Sequence, residues 1–417
     1  MEKIVIDGGS RLNGSVGISG MKNSALPIIF ASILVEDECI IDNVPRVSDV
    51  FNSLEILRSM GARAEFCDLH TVSINTKNLS PQLGSKDLVC KMRASSYLMG
   101  ALLSRFGKVE IPMPGGCNFG ARPLDLHFSG FEKMGAVCEE NQGHIKIFSK
   151  KKLNCNKITL DKISVGATIN MVLALANSSG DSVIENCATE PHVDDLICFL
   201  NNCGADIKRI GTTITCQANK KLRGTRYRIY PDMIEALTYI IFVGICKGRL
   251  TVTDVVPHHL ENEIGIFRKI GFDINVGTDN LKVCAENICG ANVITAPYPG
   301  FPTDLHPQFA ALLCFSSGGG TIKDVVFSNR FAYVNELQKM GASIKRVENT
   351  VFIDKSVLFG AQLDATDLRA GAALIAAALG AHGESEINNV NYIVRGYESI
   401  VDKIAAIGGK IKLVKGE

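Results

Sequence analysis

The sequence predicts an α/β protein of two domains, built from six repeated units of about seventy residues. Three observations carry that prediction. The first is a phrase that recurs six times, a helical pattern ending in glycine and then a strand: LRSMGARAEF, FEKMGAVCEE, LNNCGADIKR, FRKIGFDINV, LQKMGASIKR and IAAIGGKIKL. Its glycines are Gly61, Gly135, Gly204, Gly271, Gly341 and Gly408, with successive gaps of 74, 69, 67, 70 and 67 residues. Each fits the left-handed backbone position that closes a helix and lets a strand begin. The second is a strand lying before these helices at the same period, as in CIIDNVPRVSDV, SVIENCATEPHVDDL, LTVTDVVPHHLENEI, GTIKDVVFSNRFAYV and SEINNVNYIVRGYESI. The third is a set of six segments further upstream: GMKNSALPIIFASIL, KMRASSYLMGALLSRF, DKISVGATINMVLALA, PDMIEALTYIIFVGIC, PTDLHPQFAALLCFSS and TDLRAGAALIAAALGA. These carry Ala, Leu and Ile on almost every face, which predicts helices buried all round.

A unit thus runs helix, strand, helix, strands. Six such units exceed one ordinary core, so they divide three and three, with the midpoint near Tyr230 in GTRYRIYPDM. The length of 417 residues, 46% apolar, agrees with two or three domains. A net charge of +1 argues against a bulk binder of nucleic acid or of an anionic membrane. The opening MEKIVIDGG reads as a strand with no apolar signal region behind it. Apolar runs such as Leu237 to Cys246 fall short of the ~20 residues that span a bilayer. The fourteen cysteines show neither CxxC pairs nor zinc-type spacing, and those in apolar contexts, such as Cys198, Cys246 and Cys314, read as small buried hydrophobes of a reducing compartment. The expectation is a cytoplasmic protein with no nucleic-acid or membrane partner, no metal and no cofactor. Oligomeric state has no signature in the pattern.

Polar groups concentrate at the two helix starts of each unit. The first start offers Lys22, Arg93, Lys162 with Ser164, Asp232 with Glu235, Asp304, and Asp367 with Arg369. The second offers Arg46, Cys117 with Arg122, Glu190 with His192, His258, Arg330 and Arg395. Helix N-termini present unbonded N–H groups and the positive end of the dipole, so cations added there favour phosphate or carboxylate ligands. Any one of these residues could equally be a solvated helix-start charge. Several at one phase of the repeat predict a small, multiply anionic substrate held between the two domains. Asp304, in PGFPTDLHPQF, is placed either to accept a proton from a substrate hydroxyl or to cap a helix. Asp367 with Arg369 also reads as a structural ion pair.

Cys117 differs from the other cysteines. It sits in MPGGCNFGARPLDLH, where glycines permit close backbone approach to a ligand and a helix begins near Pro123. A thiol there, near Arg122, is expected to have a lowered pKa and raised reactivity, and a polyanionic substrate bound beside it would return its proton. The roles open to it are nucleophile, metal ligand, redox sensor and proton donor, besides an inert loop residue.

These residues resemble the UDP-N-acetylglucosamine enolpyruvyl transferases, in order and along essentially the whole chain. The carriers are SGMKNSALP, MRASSYLMG, GGCNFGARPLDLH, DKISVGAT, FPTDLHPQF, NRFAYVNEL, ATDLRAGA, VRGYE and VKGE. The resemblance implies transfer of the enolpyruvyl group of phosphoenolpyruvate to the 3-hydroxyl of UDP-N-acetylglucosamine with release of phosphate, the first committed step of peptidoglycan synthesis. It implies an inside-out α/β barrel in each of two domains, helices inside and sheets outside. These would span 22–229, carrying the Cys117 loop, and 1–21 plus 230–417, carrying Asp304. Cys117 matches the general acid, which can also form a phosphate-containing thioketal and is alkylated by fosfomycin. Asp304 matches the base near the attacking hydroxyl. Lys22, Asn23, Arg122 and Arg395 match phosphoenolpyruvate contacts. Arg93, Arg122, Pro123, Leu124, Asp125, Leu126, Lys162, Ile163, Ser164, Val165, Asp304 and Val326 match the UDP-sugar site. Arg330, Asp367 and Arg369 match further active-site positions. The glycines around Cys117 fit a loop that closes on the sugar nucleotide. In one departure, Ser48 stands where some relatives carry a lysine, with Arg46 two residues earlier.

Two other functions remain to be separated from this one. The sister transferase acting on shikimate 3-phosphate shares the six-unit fold, but the GGC-to-GARP loop belongs to the UDP-sugar enzyme. A catalytically silent repeat scaffold would show no turnover and would be indifferent to Cys117→Ala.

Overall fold

The computed structural model describes residues 2–115, 124–218 and 221–415. The chain divides into two compact units, Gly20–Tyr230 and Met1–Ser19 with Pro231–Glu417.

Within Gly20–Tyr230, the three helices with apolar residues on every face are Lys22–Ala31, Tyr97–Phe106 and Val165–Leu175. Their small residues set the packing distance. A Cβ on Gly100 would lie 2.5 Å from the Asn170 carbonyl oxygen, so glycine lets the second and third helices touch backbone to backbone. The Asn170 side chain closes that contact by accepting the Gly100 N–H at 2.8 Å. Three small sheets belong to this unit: Arg226–Arg228, Cys39–Asp42, Thr71–Asn75 and Arg63–Asp68; Lys108–Pro112, His144–Phe148 and Val137–Asn141; and Lys157–Thr159, Ser182–Glu185, Thr213–Cys216 and Ile207–Ile210. Along their hairpins, buried and exposed side chains alternate, as in Thr71–Asn75, so one face meets the helices and the other meets water. The last strand of the third repeat lies parallel to the first strand of the first, which ties the three repeats into a cycle.

The other unit repeats this plan around helices Met233–Cys246, His306–Phe315 and Leu368–Gly380, the first of them buried at every residue. Its sheets are Asn13–Gly17, Arg249–Thr253, Asn280–Ala285 and Phe272–Val276; Cys289–Ile294, Ser317–Lys323, Thr350–Ile353 and Ile344–Val347; and Gln362–Asp364, Glu384–Asn388, Glu2–Asp7 and Lys410–Lys415. In the other sheets a central position is filled by the second strand of a local hairpin. In the last sheet it is filled by Glu2–Asp7, antiparallel to both neighbours. Asn13–Gly17 then lies parallel to Arg249–Thr253 and completes the fourth repeat's sheet. Each unit therefore has helices inside and sheets outside, but the sheets stay separate and do not join into one closed hydrogen-bonded barrel.

The recurring glycine does what its position in the phrase demands. Gly61, Gly135, Gly204, Gly271, Gly341 and Gly408 have φ between 92° and 108°. After five of them the next residue returns its N–H to the carbonyl five back, Ala62 to Leu57, Ala136 to Phe131, Ala205 to Leu200, Ala342 to Leu337 and Gly409 to Ile404. This is the left-handed helix stop that needs no Cβ.

The cysteines depart from expectation at several places, Cys67, Cys90 and Cys289 being exposed. Cys246 and Cys314 are buried, but Cys198 is exposed on the outer side of helix Pro191–Asn202. That helix is amphipathic, and a cysteine in an apolar-looking segment can still fall on its wet face. No helix among the described residues is long and apolar enough to cross a membrane.

Candidate functional site

In the unit holding Pro231–Glu417, the three buried helices bring their first turns together, and Asp304 lies at the meeting point. It belongs to a short 3-10 turn, Thr303–Leu305, that leads into helix His306–Phe315. It caps nothing. Its Oδ1 accepts from Arg330 Nη1 at 2.7 Å, and its Oδ2 accepts from Arg369 Nη2 at 3.0 Å and Nε at 3.3 Å. Burial alone would raise this carboxyl, but the two guanidinium groups outweigh burial and hold it far below the usual carboxylate range. Both arginines are nearly enclosed, at 5% and 2% of their surface, while Asp304 keeps 27% of its side chain open. The carboxylate is thus reachable from outside and its partners are not.

Two buried networks fix those arginines. On the first side, Asp324 accepts from the hydroxyls of Thr295 and Thr303, both at 2.7 Å, and from the N–H groups of Val326 and Phe327. A carboxylate only accepts, so His306 gives Asp324 its Nδ1 proton at 3.3 Å and takes the Tyr333 hydroxyl on Nε2 at 2.6 Å. Burial pushes the His306 imidazole down, in keeping with this neutral form. Thr303 also accepts from Arg330, which stacks over Phe327. On the second side, Arg369 Nη1 donates to Tyr397 Oη at 3.1 Å. Burial works against the Arg369 charge, yet Tyr397, Asp304 and Asp232 outweigh it and hold the proton more firmly than in a free arginine.

The other acidic residues at these helix starts have local partners. Asp367 caps its helix through the N–H groups of Arg369 and Ala370, at 2.9 and 3.0 Å. The link between Asp367 and Arg369 is therefore a backbone cap, and the Arg369 side chain serves Asp304. Asp232 caps Met233–Cys246 in the same way. Glu235 is buried against Lys403 at 2.7 Å and accepts the Ser19 N–H at 2.8 Å. Val326 is 41% exposed. Arg395 is half-buried and follows the short helix Val390–Ile393, so it does not stand at a helix start.

In Gly20–Tyr230 the helix starts are different. Lys22 opens its helix and pairs with the buried Asp49 at 3.2 Å. Asn23 is half-buried beside it. Neither Lys22–Ala31 nor Tyr97–Phe106 has a side-chain cap, whereas Ser164 caps Val165–Leu175 by accepting the Ala167 N–H at 3.3 Å. Arg93 is half-buried ahead of Tyr97–Phe106, and Lys162 and Ile163 are exposed ahead of Ser164 and Val165. Leu124 is buried, while Asp125 and Leu126 begin helix Asp125–Lys133. On that helix the buried His127 accepts on Nδ1 from Asn170 Nδ2 at 3.0 Å. The Asn170 oxygen is taken by Gly100, which leaves its amine end for the imidazole. Burial, then Arg93, lowers the His127 pKa to about 3, so the ring is neutral. Arg46 immediately precedes the N-cap of helix Ser48–Ser59, with its guanidinium over the rings of Phe51 and Phe66 at 5.3 and 4.6 Å and an Nη1 donating to the Leu69 carbonyl. Cys117, Arg122 and Pro123 lie outside the described residues.

Sequence spacing had singled out Asp304, Arg330 and Arg369, and the structure joins all three. Tyr397, Thr303, Asp324, His306 and Tyr333 had not been singled out, although all five lie inside the quoted segments.

The family described as EPSP synthase (3-phosphoshikimate 1-carboxyvinyltransferase) matches residues 6–404. UDP-N-acetylglucosamine 1-carboxyvinyltransferase 2 of Clostridium acetobutylicum is 43% identical, covering 100% of both chains. The chain belongs to the enolpyruvyl transferase family. The UDP-N-acetylglucosamine 1-carboxyvinyltransferase of Halothermothrix orenii is 42% identical, again over 100% of both chains. Among solved structures, the enolpyruvyl transferase NikO from Streptomyces tendae superposes with a TM-score of 0.90 at 24% identity, covering 100% of this chain and 99% of that one. EPSP synthase from Acinetobacter baumannii follows at 0.77 and 17%, covering 100% of both. These two establish the shared two-domain, inside-out α/β fold of this enolpyruvyl transferase.

Proposed function

We propose that this transferase moves the enolpyruvyl group of phosphoenolpyruvate to the 3-hydroxyl of UDP-N-acetylglucosamine, releasing phosphate, and does so in the cytoplasm as the entry step of peptidoglycan synthesis. The observation that carries this reading is the end-to-end identity of 42–43% to curated transferases of that name. The clamped Asp304 supports it, because the reaction needs a proton acceptor at the sugar hydroxyl.

In this reading Cys117 gives its proton to the methylene carbon of phosphoenolpyruvate. The adjacent carbon becomes oxocarbenium-like, and the sugar oxygen adds to it as Asp304 takes the hydroxyl proton. Loss of phosphate from the adduct, with a proton from the new methyl group, restores the enol double bond. Lys22, Asn23, Arg122 and Arg395 hold the phosphate and carboxylate of phosphoenolpyruvate. Arg93, the segment 122–126, the segment 162–165 and Val326 receive the nucleotide sugar. Held by two guanidinium groups, Asp304 is ionised but weakly basic. An anionic substrate bound beside the carboxylate disfavours its charge by like-charge repulsion and makes it a better base as the hydroxyl arrives.

The test is phosphate release with phosphoenolpyruvate and either UDP-N-acetylglucosamine or shikimate 3-phosphate. Turnover with the nucleotide sugar alone is expected; turnover with shikimate 3-phosphate alone, or with neither, sinks the reading. Intact mass after fosfomycin should show one adduct, on Cys117, out of fourteen thiols.

A further inference from the structure

The Tyr397 hydroxyl hydrogen-bonds to side chains from all three buried helices of its unit. It lies 2.9 Å from Thr238 Oγ1, 3.0 Å from Gln308 Nε2 and 3.1 Å from Arg369 Nη1. These partners belong in turn to helices Met233–Cys246, His306–Phe315 and Leu368–Gly380. All four side chains are buried, none above 2% exposed.

The proton directions follow from the chemistry of the groups. Thr238 spends its O–H on the Ile234 carbonyl at 2.7 Å, so it presents lone pairs to Tyr397. Arginine only donates, so Tyr397 accepts from Arg369. The tyrosine proton therefore goes to Thr238, and the remaining lone pair of Tyr397 takes the Gln308 amide. The result is a one-way chain from the Arg369 guanidinium through Tyr397 and Thr238 to a main-chain carbonyl. It consumes the Nη1 face of the guanidinium and leaves the Nε and Nη2 face for Asp304.

We propose that Tyr397 is a positioning residue for the transfer reaction, setting the Arg369 guanidinium side-on to Asp304 so that Arg369 holds the carboxylate by Oδ2 alone and can release it to act as base. The inference rests on the function proposed above. Without the hydroxyl, the Nη1 N–H has no acceptor in a dry interior, and the guanidinium turns to the nearest one, the Asp304 carboxylate, which it then holds too tightly. The other charged or titratable groups around this pair are Arg330, Asp232, Asp367, His306 and Asp324, and the Arg369 side chain hydrogen-bonds to none of them.

A double-mutant cycle in kcat tests the role. Tyr397→Phe should lower kcat about 10-fold with KM for both substrates within about 3-fold. In an Arg369→Lys background, where the forked guanidinium is already gone, the same change should cost less than about 2-fold. A residue that merely supports the fold would lower both backgrounds alike, and that result, or an unchanged kcat in Tyr397→Phe, overturns the proposal. If Tyr397→Phe does not fold, Thr238→Val removes the acceptor of the tyrosine proton and enters the same cycle under the same criterion. Wild-type turnover is measured first. An inactive wild type sinks the proposed function and Tyr397's role together, whereas an active wild type with additive variants sinks Tyr397's role alone.

Discussion

The two units share a frame and use it in opposite ways. In Pro231–Glu417 the helix starts are filled from within: Asp232 and Asp367 occupy the N–H groups of their helices, and Asp304 neutralises Arg330 and Arg369. In Gly20–Tyr230 two of the three buried helices begin without a side-chain cap, and cations stand at all three starts: Lys22, Arg93 and Lys162. In the function proposed above, the first pattern holds the base and the second receives the anionic substrate. A repeat thus decides where chemistry can be placed, and single side chains at the helix starts decide which chemistry it is.

The same contrast governs buried carboxylates. Asp304 has two arginines and is held down. Asp195, wholly buried in Gly20–Tyr230, has the Tyr227 hydroxyl and the Tyr230 N–H but no cation, and burial raises it to about 6.

The largest break in the comparison comes from Asp304→Asn. It removes the internal anion, and kcat should fall by about 10²–10⁴. A fall under about 10-fold would mean that Asp304 only neutralises its arginines. Next is Asp195→Asn. A raised carboxyl binds more protons in the folded chain than in the unfolded one between about pH 4 and 6, so its contribution to stability declines as pH rises through that window. The stability advantage of wild type over Asp195→Asn at pH 4 should shrink by roughly 2 kcal/mol by pH 7.5 in urea unfolding. A constant gap would show that Asp195 titrates normally. Lys22→Met tests the open end: KM for phosphoenolpyruvate should rise about 10- to 100-fold, the cost of a charged hydrogen bond, with the fold intact by circular dichroism. An unchanged KM would assign Lys22 to Asp49 alone. The smallest effect is expected from Ser164→Ala, which converts the one capped start in Gly20–Tyr230 to an uncapped one and should cost about 1 kcal/mol of stability.

Much of the frame was legible in the sequence because its signals are local. A helix buried on all sides must be apolar on all sides, and a left-handed stop selects glycine, so Gly61 and its five counterparts announced the repeat. The cations at helix starts were legible for the same reason. The partners of Asp304 were not, because Arg330 is 26 residues away and Arg369 is 65, and nothing in either segment names the other. Arg46 and Cys198 illustrate the opposite difficulty: each was read from its neighbours in the chain, and each turns instead toward what the fold puts beside it.

By itself, then, the sequence determined the six-fold period, the buried helices and the places where charge gathers, since these depend on periodicity and on backbone angles within a few residues. Only the tertiary structure decided that Asp367 is a cap, that Asp304 is not, and that Tyr397 joins three helices through one hydroxyl. Hydrogen bonds reach about 3 Å through space whatever the distance along the chain, so such assignments exist only once the chain has folded.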